Sequence, residues 1–121
     1  SIALEDMEWV LVPYGDADNL TMVLEDTEIT AVLNSTEGRI SGSAGCNNYF
    51  AGYEINQNEL TLTSPVSSTR MACPEAVMNQ EAEYLEILQN IESFDIEDDQ
   101  LRIVSGDKVL LFEGKIEDNR K

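Results

Sequence analysis

The clearest hairpin in the sequence reads Leu101-Arg102-Ile103-Val104-Ser105-Gly106-Asp107-Lys108-Val109-Leu110-Leu111-Phe112. Two runs of strand-forming side chains flank the Ser-Gly-Asp turn, where glycine supplies the backbone freedom that a tight turn requires. A shorter run of the same kind, Phe94-Asp95-Ile96, precedes them. These residues therefore predict a meander of antiparallel strands.

The same pattern of short apolar runs and turn residues extends towards the N-terminus. The predicted strands cover residues 8–12, 29–33, 39–44, 49–55, 59–63 and, as one short strand, 66–71. The turn residues Pro13, Tyr14, Gly15 and Asp16 predict that the first strand stops at residue 12. Glycines at 42 and 45 predict a bulge or a close approach of two backbones.

One segment has helical periodicity. Between Pro74 and about Ile91, apolar side chains recur at spacings of three and four, which predicts a helix with one apolar face. Pro74 suits the first turn of such a helix. The predicted fold is α+β but mainly antiparallel β, a small barrel-like curled sheet of about eight strands with one helix packed on it. We expect a single domain over residues 1–121, with its core from about 7 to 113 and frayed ends.

The composition is strongly acidic, with 24 Asp and Glu against 7 Lys and Arg and a net charge of −17 spread along the chain. Nucleic acids are bound by clustered cations, so we expect no nucleic-acid partner. Such a charge attracts cations or basic proteins, although it also serves solubility or life in a salty medium. No run of apolar residues approaches the ~18 of a membrane span, so no span is expected.

The sequence contains no histidine. That removes Ser-His and Cys-His nucleophilic systems and the commonest transition-metal ligand. It also lacks a G-x-S-x-G motif, a phosphate-binding glycine loop and a dinucleotide fingerprint. No two carboxylates stand out as an acid–base pair. We therefore expect no catalytic residue, no enzyme activity and no cofactor.

Calcium is the one metal that the sequence leaves open. Carboxylates cluster in two loop regions: Asp16, Asp18, Glu25 and Asp26, then Asp95, Glu97, Asp98 and Asp99. Neither cluster has the glycine and the terminal glutamate of an EF-hand loop at the required offsets. Solvated acidic turns are the favoured interpretation, and no metal site is expected.

The two cysteines, Cys46 and Cys73, are disulfide candidates. Bridging them would constrain the unfolded chain by roughly 3 kcal/mol in the entropic model, and would imply an oxidising compartment. The alternative is two reduced, buried thiols. A free Cys73 at the start of the helix would be reactive, with Cys46 as its resolving partner.

Three local signatures occur together in this chain. They are Gly45-Cys46-Asn47-Asn48-Tyr49 with Gly52 and Tyr53, then Ser68-Thr69-Arg70-Met71-Ala72-Cys73, then Met78, Glu81, Tyr84, Leu85 and Leu88 on the helix. The combination resembles the META domain, or HslJ-like, family, and residues 9–11 and 110–112 are similar to that family's first and last strands. The resemblance covers the chain from about Met7 to Glu113.

The resemblance implies a small β-rich, lipoprotein-like domain of the bacterial cell envelope or a secreted protein, often linked to stress or antibiotic tolerance. It implies a location outside the cytoplasm, reached after removal of an export signal that this chain does not contain. It names no reaction.

We therefore expect a non-catalytic binding or interaction module, whose motif and candidate binding rim comprise Asn47, Tyr49, Tyr53, Thr69, Arg70 and Met71. Asn47 is expected to serve turn geometry, the two tyrosines to pack in the core or at the rim, and Thr69, Arg70 and Met71 to border the barrel mouth. The alternatives are a barrel that carries an apolar small molecule and a protease inhibitor that presents an exposed loop. The expected partner is a protein or an apolar small molecule, and the expected state is a monomer.

Overall fold

The computed structural model describes residues 4–115. In chain order the elements are β1 (Glu8–Asp16), β2 (Asn19–Met22), β3 (Thr30–Asn34), β4 (Arg39–Ser43), β5 (Asn48–Asn56), β6 (Glu59–Leu62), β7 (Ser67–Ser68), α1 (Glu75–Gln89), β8 (Ser93–Glu97), β9 (Gln100–Ser105) and β10 (Lys108–Lys115). The predicted frayed ends fall on residues 1–3 and 116–121, which lie outside the described range.

Eight of these strands form a closed antiparallel barrel. They follow the order β1-β3-β4-β5-β6-β8-β9-β10, and pairing of β10 with β1 closes the ring. The two short strands are additions, because β2 pairs with β1 beyond β3 and β7 pairs with β5. The predicted fold class is confirmed. Among residues 4–115, no helix has the length and apolar character needed to cross a membrane.

The interior of the barrel is filled by the chain's own side chains. Trp9, Tyr49, Tyr84 and Phe112 are the largest of a set of residues that are less than 2% exposed. The helix contributes Tyr84, Ile87 and Leu88 to the same core. Dense packing of this kind is what stabilises a small barrel.

The first strand continues four residues beyond its predicted end, so the prediction that it stops at residue 12 is wrong. Pro13 lies opposite Met22 of β2. The adjacent hydrogen bond is made by the neighbouring pair, in which the Val23 N–H donates to the Val12 carbonyl at 3.0 Å. On the β10 side, a register shift between Leu11 and Tyr14 marks a bulge. Pro13 therefore sits where a missing N–H is tolerated.

The predicted strand over residues 66–71 is also wrong in extent, since β7 is only Ser67–Ser68. The chain leaves the sheet there because the side chain of Asn47 accepts hydrogen bonds from the Thr69 hydroxyl at 2.9 Å and from the Met71 N–H at 2.6 Å. The structure adds β2, a strand that the sequence did not predict; its four residues are all exposed and show no buried-face alternation.

Gly42 shows the predicted close approach of two backbones. A Cβ atom at this position would lie 2.2 Å from the carbonyl oxygen of Thr30. Gly45 adopts a φ of +111°, a conformation that favours glycine. These two glycines bring β4 and the following loop close to Ile29 and to Thr30 at the start of β3, and so position the loop that carries Cys46 and Asn47.

Candidate functional site

Asn47 lies at the centre of a polar cluster that joins α1 to two loops, and it is only 2% exposed. Its side-chain Nδ2 donates to Glu81 Oε2 at 2.8 Å and to the Met71 carbonyl at 3.3 Å. Its Oδ1 accepts from Met71 and Thr69, as described above. Both amide hydrogens and the amide oxygen are therefore used, which is the condition for burying an asparagine without loss of stability.

Glu81 is a buried carboxylate, 5% exposed, on the barrel-facing side of α1. Its Oε1 accepts the backbone N–H of Asn47 at 2.7 Å and that of Cys46 at 3.1 Å. Among residues 4–115 it forms no ion pair with a lysine or an arginine. Three N–H donors thus replace water around this carboxylate.

Sequence reasoning assigned Glu81 no role beyond its place in a family signature. A signal for it was present, because Val77, Glu81, Tyr84 and Leu88 are spaced by four, three and four residues. That spacing puts a glutamate on the apolar face of the helix, where an acidic side chain needs a dedicated set of hydrogen-bond donors.

Cys46 and Cys73 form a disulfide, with their Cα atoms 6.2 Å apart. The predicted pairing is confirmed. The bond ties the segment before β5 to the segment before α1, at the place where Asn47 already contacts Met71. A further pair of hydrogen bonds joins Asn48 to Thr69: the Asn48 N–H donates to the Thr69 hydroxyl, and the Thr69 N–H donates to the Asn48 carbonyl.

Residues Thr69-Arg70-Met71-Ala72-Cys73, hereafter the 69–73 loop, are consequently fixed at both ends and in the middle. Thr69, Arg70, Met71 and Ala72 are nevertheless exposed, Met71 by 53%. The loop presents a cationic and an apolar side chain from an ordered backbone. This arrangement is suited to contacting another molecule.

The six residues singled out from the sequence divide into two groups. Thr69, Arg70 and Met71 lie on the 69–73 loop, whereas Asn47, Tyr49 and Tyr53 are buried. The second group therefore holds the loop and the barrel in place, since buried side chains do not reach a partner.

The hydroxyl groups of the buried tyrosines Tyr49, Tyr53 and Tyr84 all have hydrogen-bond partners. The Tyr49 hydroxyl donates to the Thr30 carbonyl at 2.7 Å and lies 2.7 Å from the Tyr84 hydroxyl. The two rings meet edge to face, with centroids 5.6 Å apart. Burial raises the pKa of Tyr49 and of Tyr84 well above the ordinary value. The Tyr53 hydroxyl donates to the carboxylate of Glu5, and burial followed by this contact raises its pKa as well.

The acidic loop regions do not converge on a common point. Within the described part of the chain, no three Asp, Glu or Cys side chains lie close enough together to hold a metal ion. Asp16 instead pairs with Lys108 at 2.7 Å, and Asp95 pairs with Arg102 at 3.4 Å. Both pairs are exposed, so each contributes little to stability.

Solved structures similar to this chain support the fold. The NMR structure of a protein from Burkholderia xenovorans has a TM-score of 0.80 and 27% identity, covering 94% of this chain and 85% of that chain. A second NMR structure has a TM-score of 0.68 and 19% identity, covering 93% and 95%. A crystal structure of a DUF4847 family protein from Bacteroides vulgatus has a TM-score of 0.66 and 12% identity, covering 95% and 96%. The latter two likenesses concern the fold alone.

A search of the curated proteins finds no match to this sequence. The family model of the META domain, in contrast, matches residues 2–116. That match spans the barrel, α1, the disulfide and the 69–73 loop, and it agrees with the resemblance found in the sequence. The chain therefore belongs to the META domain family.

Proposed function

We propose that this META domain is a non-catalytic binding module that acts outside the cytoplasm, needs no cofactor, and contacts a protein partner through the 69–73 loop. The observation that carries the proposal is the anchoring of an exposed loop by a disulfide and by the buried amide of Asn47. Ordering a loop on binding costs about 1–2 kcal/mol per residue in backbone entropy. Here folding has already ordered it, so contacts made by the loop add directly to affinity.

The side chains on the loop suit a protein partner. Arginine and methionine are enriched in protein–protein interfaces, because both offer a large contact area. Arg70 and Met71 stand side by side on the loop, and both are exposed. The positive charge of Arg70 is also unusual on a chain with a net charge of −17, so we expect it to meet a carboxylate on the partner.

The disulfide supports the proposed location. Disulfides persist in secreted and envelope compartments and are rare in the cytosol. The family resemblance adds envelope stress as the setting in which the partner is expected. The alternative of a barrel that carries an apolar small molecule receives no support from the interior, which Trp9, Tyr49 and Phe112 occupy.

The proposal is tested by site-specific crosslinking. A photoreactive amino acid replaces Met71 in one variant and Thr61, an exposed residue of β6, in a matched control. Each variant is added to an envelope extract of the native host and illuminated. We expect one discrete product from position 71 that unlabelled protein competes away and that an added Arg70→Ala substitution reduces.

The Thr61 control decides whether contact is specific. Identical products from positions 61 and 71, or a product that excess unlabelled protein does not compete, would refute binding through the 69–73 loop. Recovery of the partner chemically altered after incubation with the domain alone would refute the non-catalytic part of the proposal.

A second candidate, protease inhibition, is favoured by one feature of the same loop. Arg70 lies in an exposed segment whose backbone is held by Asn47 and by the adjacent disulfide, as in a substrate that resists cleavage. A protease specific for arginine is the enzyme to assay. Inhibition that disappears in Arg70→Ala but persists in Arg39→Ala, an exposed arginine on β4, would establish it, and an unaffected enzyme would exclude it.

A further inference from the structure

The short strand β2 forms an edge of the sheet. Within residues 4–115 its sole strand partner is β1. The Val23 N–H donates to the Val12 carbonyl at 3.0 Å, which sets the register of that pairing. Hydrogen-bonded and non-hydrogen-bonded pairs alternate in antiparallel strands. Leu20 and Met22 therefore direct their backbone N–H and C=O groups away from β1, towards the free edge.

The side chains of this edge are apolar and exposed. Leu20 is 41% exposed, Met22 63% and Leu24 39%. Sheet edges in folded proteins are usually blunted by charged side chains or prolines, because unpaired backbone groups recruit further strands. The side chains of Leu20 and Met22 leave β2 open to an added strand, and offer it apolar contact on the outer face.

A crevice of about 280 Å³ separates β2 from α1. Tyr14 and Thr21 line one wall, and Asn79 and Glu83 line the other. Thr21 lies opposite Tyr14 in the β1 register, so its side chain is on the face that looks towards the crevice. A strand added beside β2 would direct every second side chain to the same face.

The negative charge around β2 indicates which kind of segment would pair with this edge. The carboxylates of Asp18, Glu25, Asp26 and Glu83 surround β2 along the chain and across the crevice. Among the described residues, none of the four forms a salt bridge. A second copy of this chain would bring two such sets together and be repelled. A cationic segment would be attracted.

We propose that β2 accepts an extended basic segment of a partner as an additional antiparallel strand. Apolar side chains of that segment pack on Leu20 and Met22, and alternating lysines or arginines face Glu83 in the crevice. This mode of recognition gives affinity through backbone hydrogen bonds and selectivity through alternate side chains. This surface is distinct from the 69–73 loop, so the β2 proposal can be tested independently of the proposed function.

The probe is the blocked peptide acetyl-Lys-Val-Lys-Val-Lys-amide, titrated into isotopically labelled protein at low salt. The amide signals of Leu20 and Met22 are expected to shift and to gain protection from hydrogen exchange. Met22→Pro removes one outward N–H without removing a bond to β1, and should weaken binding about tenfold, the worth of one hydrogen bond. Met22→Val keeps that N–H and is the matched control.

Two further peptides separate strand addition from general attraction to an acidic protein. The first carries N-methyl groups on its valines, and the second has the sequence Lys-Lys-Lys-Val-Val with the same blocked ends. Equal affinity for either peptide, equal affinity of Met22→Pro and Met22→Val, or shifts that spare β2 would overturn the proposal. A dimer of the unliganded protein that Met22→Pro dissolves would overturn it in favour of self-pairing.

Discussion

Asn47 is a single residue on which the candidate site depends. Replacing it with alanine leaves the buried Glu81 carboxylate and the partly buried Met71 N–H each without one of their hydrogen-bond partners. We expect the free energy of unfolding to fall by about 3 kcal/mol, the cost of orphaned buried polar groups. Urea unfolding measures the loss, and limited digestion with an arginine-specific protease reports on the order of the loop at Arg70.

The neighbouring residue provides the control. Asn48 has an exposed side chain, and its hydrogen bonds to Thr69 use its backbone. Asn48→Ala should therefore change stability by less than about 0.5 kcal/mol and leave the cleavage rate at Arg70 unchanged. Equal effects of the two substitutions would contradict the assignment of Asn47 as the anchor.

Gly42 is the second position where one atom matters. An alanine Cβ at 2.2 Å from the Thr30 carbonyl oxygen overlaps backbone that cannot move without separating β4 from the start of β3. We expect Gly42→Ala to destabilise the fold by about 3 kcal/mol or more. Gly38→Asn is the comparison, because Gly38 has a φ of +66° that asparagine tolerates and open space around it. Thermal unfolding of the two variants should differ clearly.

At the scale of elements, the disulfide joins two segments that hydrogen bonds already hold together. Its sequence separation is 27 residues, and loop-closure entropy for such a span is about 3.5 kcal/mol. Replacing both cysteines with serine should lower the free energy of unfolding by about that amount, while Asn47 and Glu81 keep the native contacts. The measurement is urea unfolding of the double variant beside oxidised wild type. A double variant as stable as wild type would show that the bond adds nothing to an already ordered site.

The elements also show what sequence patterns can predict. The hairpin over residues 101–112 and the helix were predicted correctly because their signals are local: a turn glycine, Gly106, with a φ of +62°, and a repeat of three and four. The end of β1 was not predicted correctly, because pairing with β10 and a bulge override the turn residues Pro13 and Gly15. Asn47 and Glu81 are 34 residues apart, and no local pattern connects them.

At the scale of the whole molecule, all four tyrosines of the sequence share one property. The pKa values of Tyr14, Tyr49, Tyr53 and Tyr84 are raised above the ordinary 10.0, in each case chiefly by burial. The folded state therefore prefers the neutral phenols more strongly than the unfolded state does. Their contribution to stability is complete below pH 10 and declines as the pH rises beyond it.

The upward direction of the tyrosine pKa shifts can be tested without any substitution. As the pH is raised, the phenolate absorbance of the native protein should stay low past pH 10, the ordinary tyrosine value, and then rise together with the loss of the near-ultraviolet dichroism that reports tertiary packing. In concentrated urea, the tyrosines of the same protein should titrate near their ordinary pKa. The rise in absorbance and the loss of dichroism should occur at the same pH, because Tyr49 and Tyr84 ionise only when the core that buries them opens. Phenolate formation by most of the tyrosines near pH 10 with the dichroism intact would contradict the burial that the structure assigns to them.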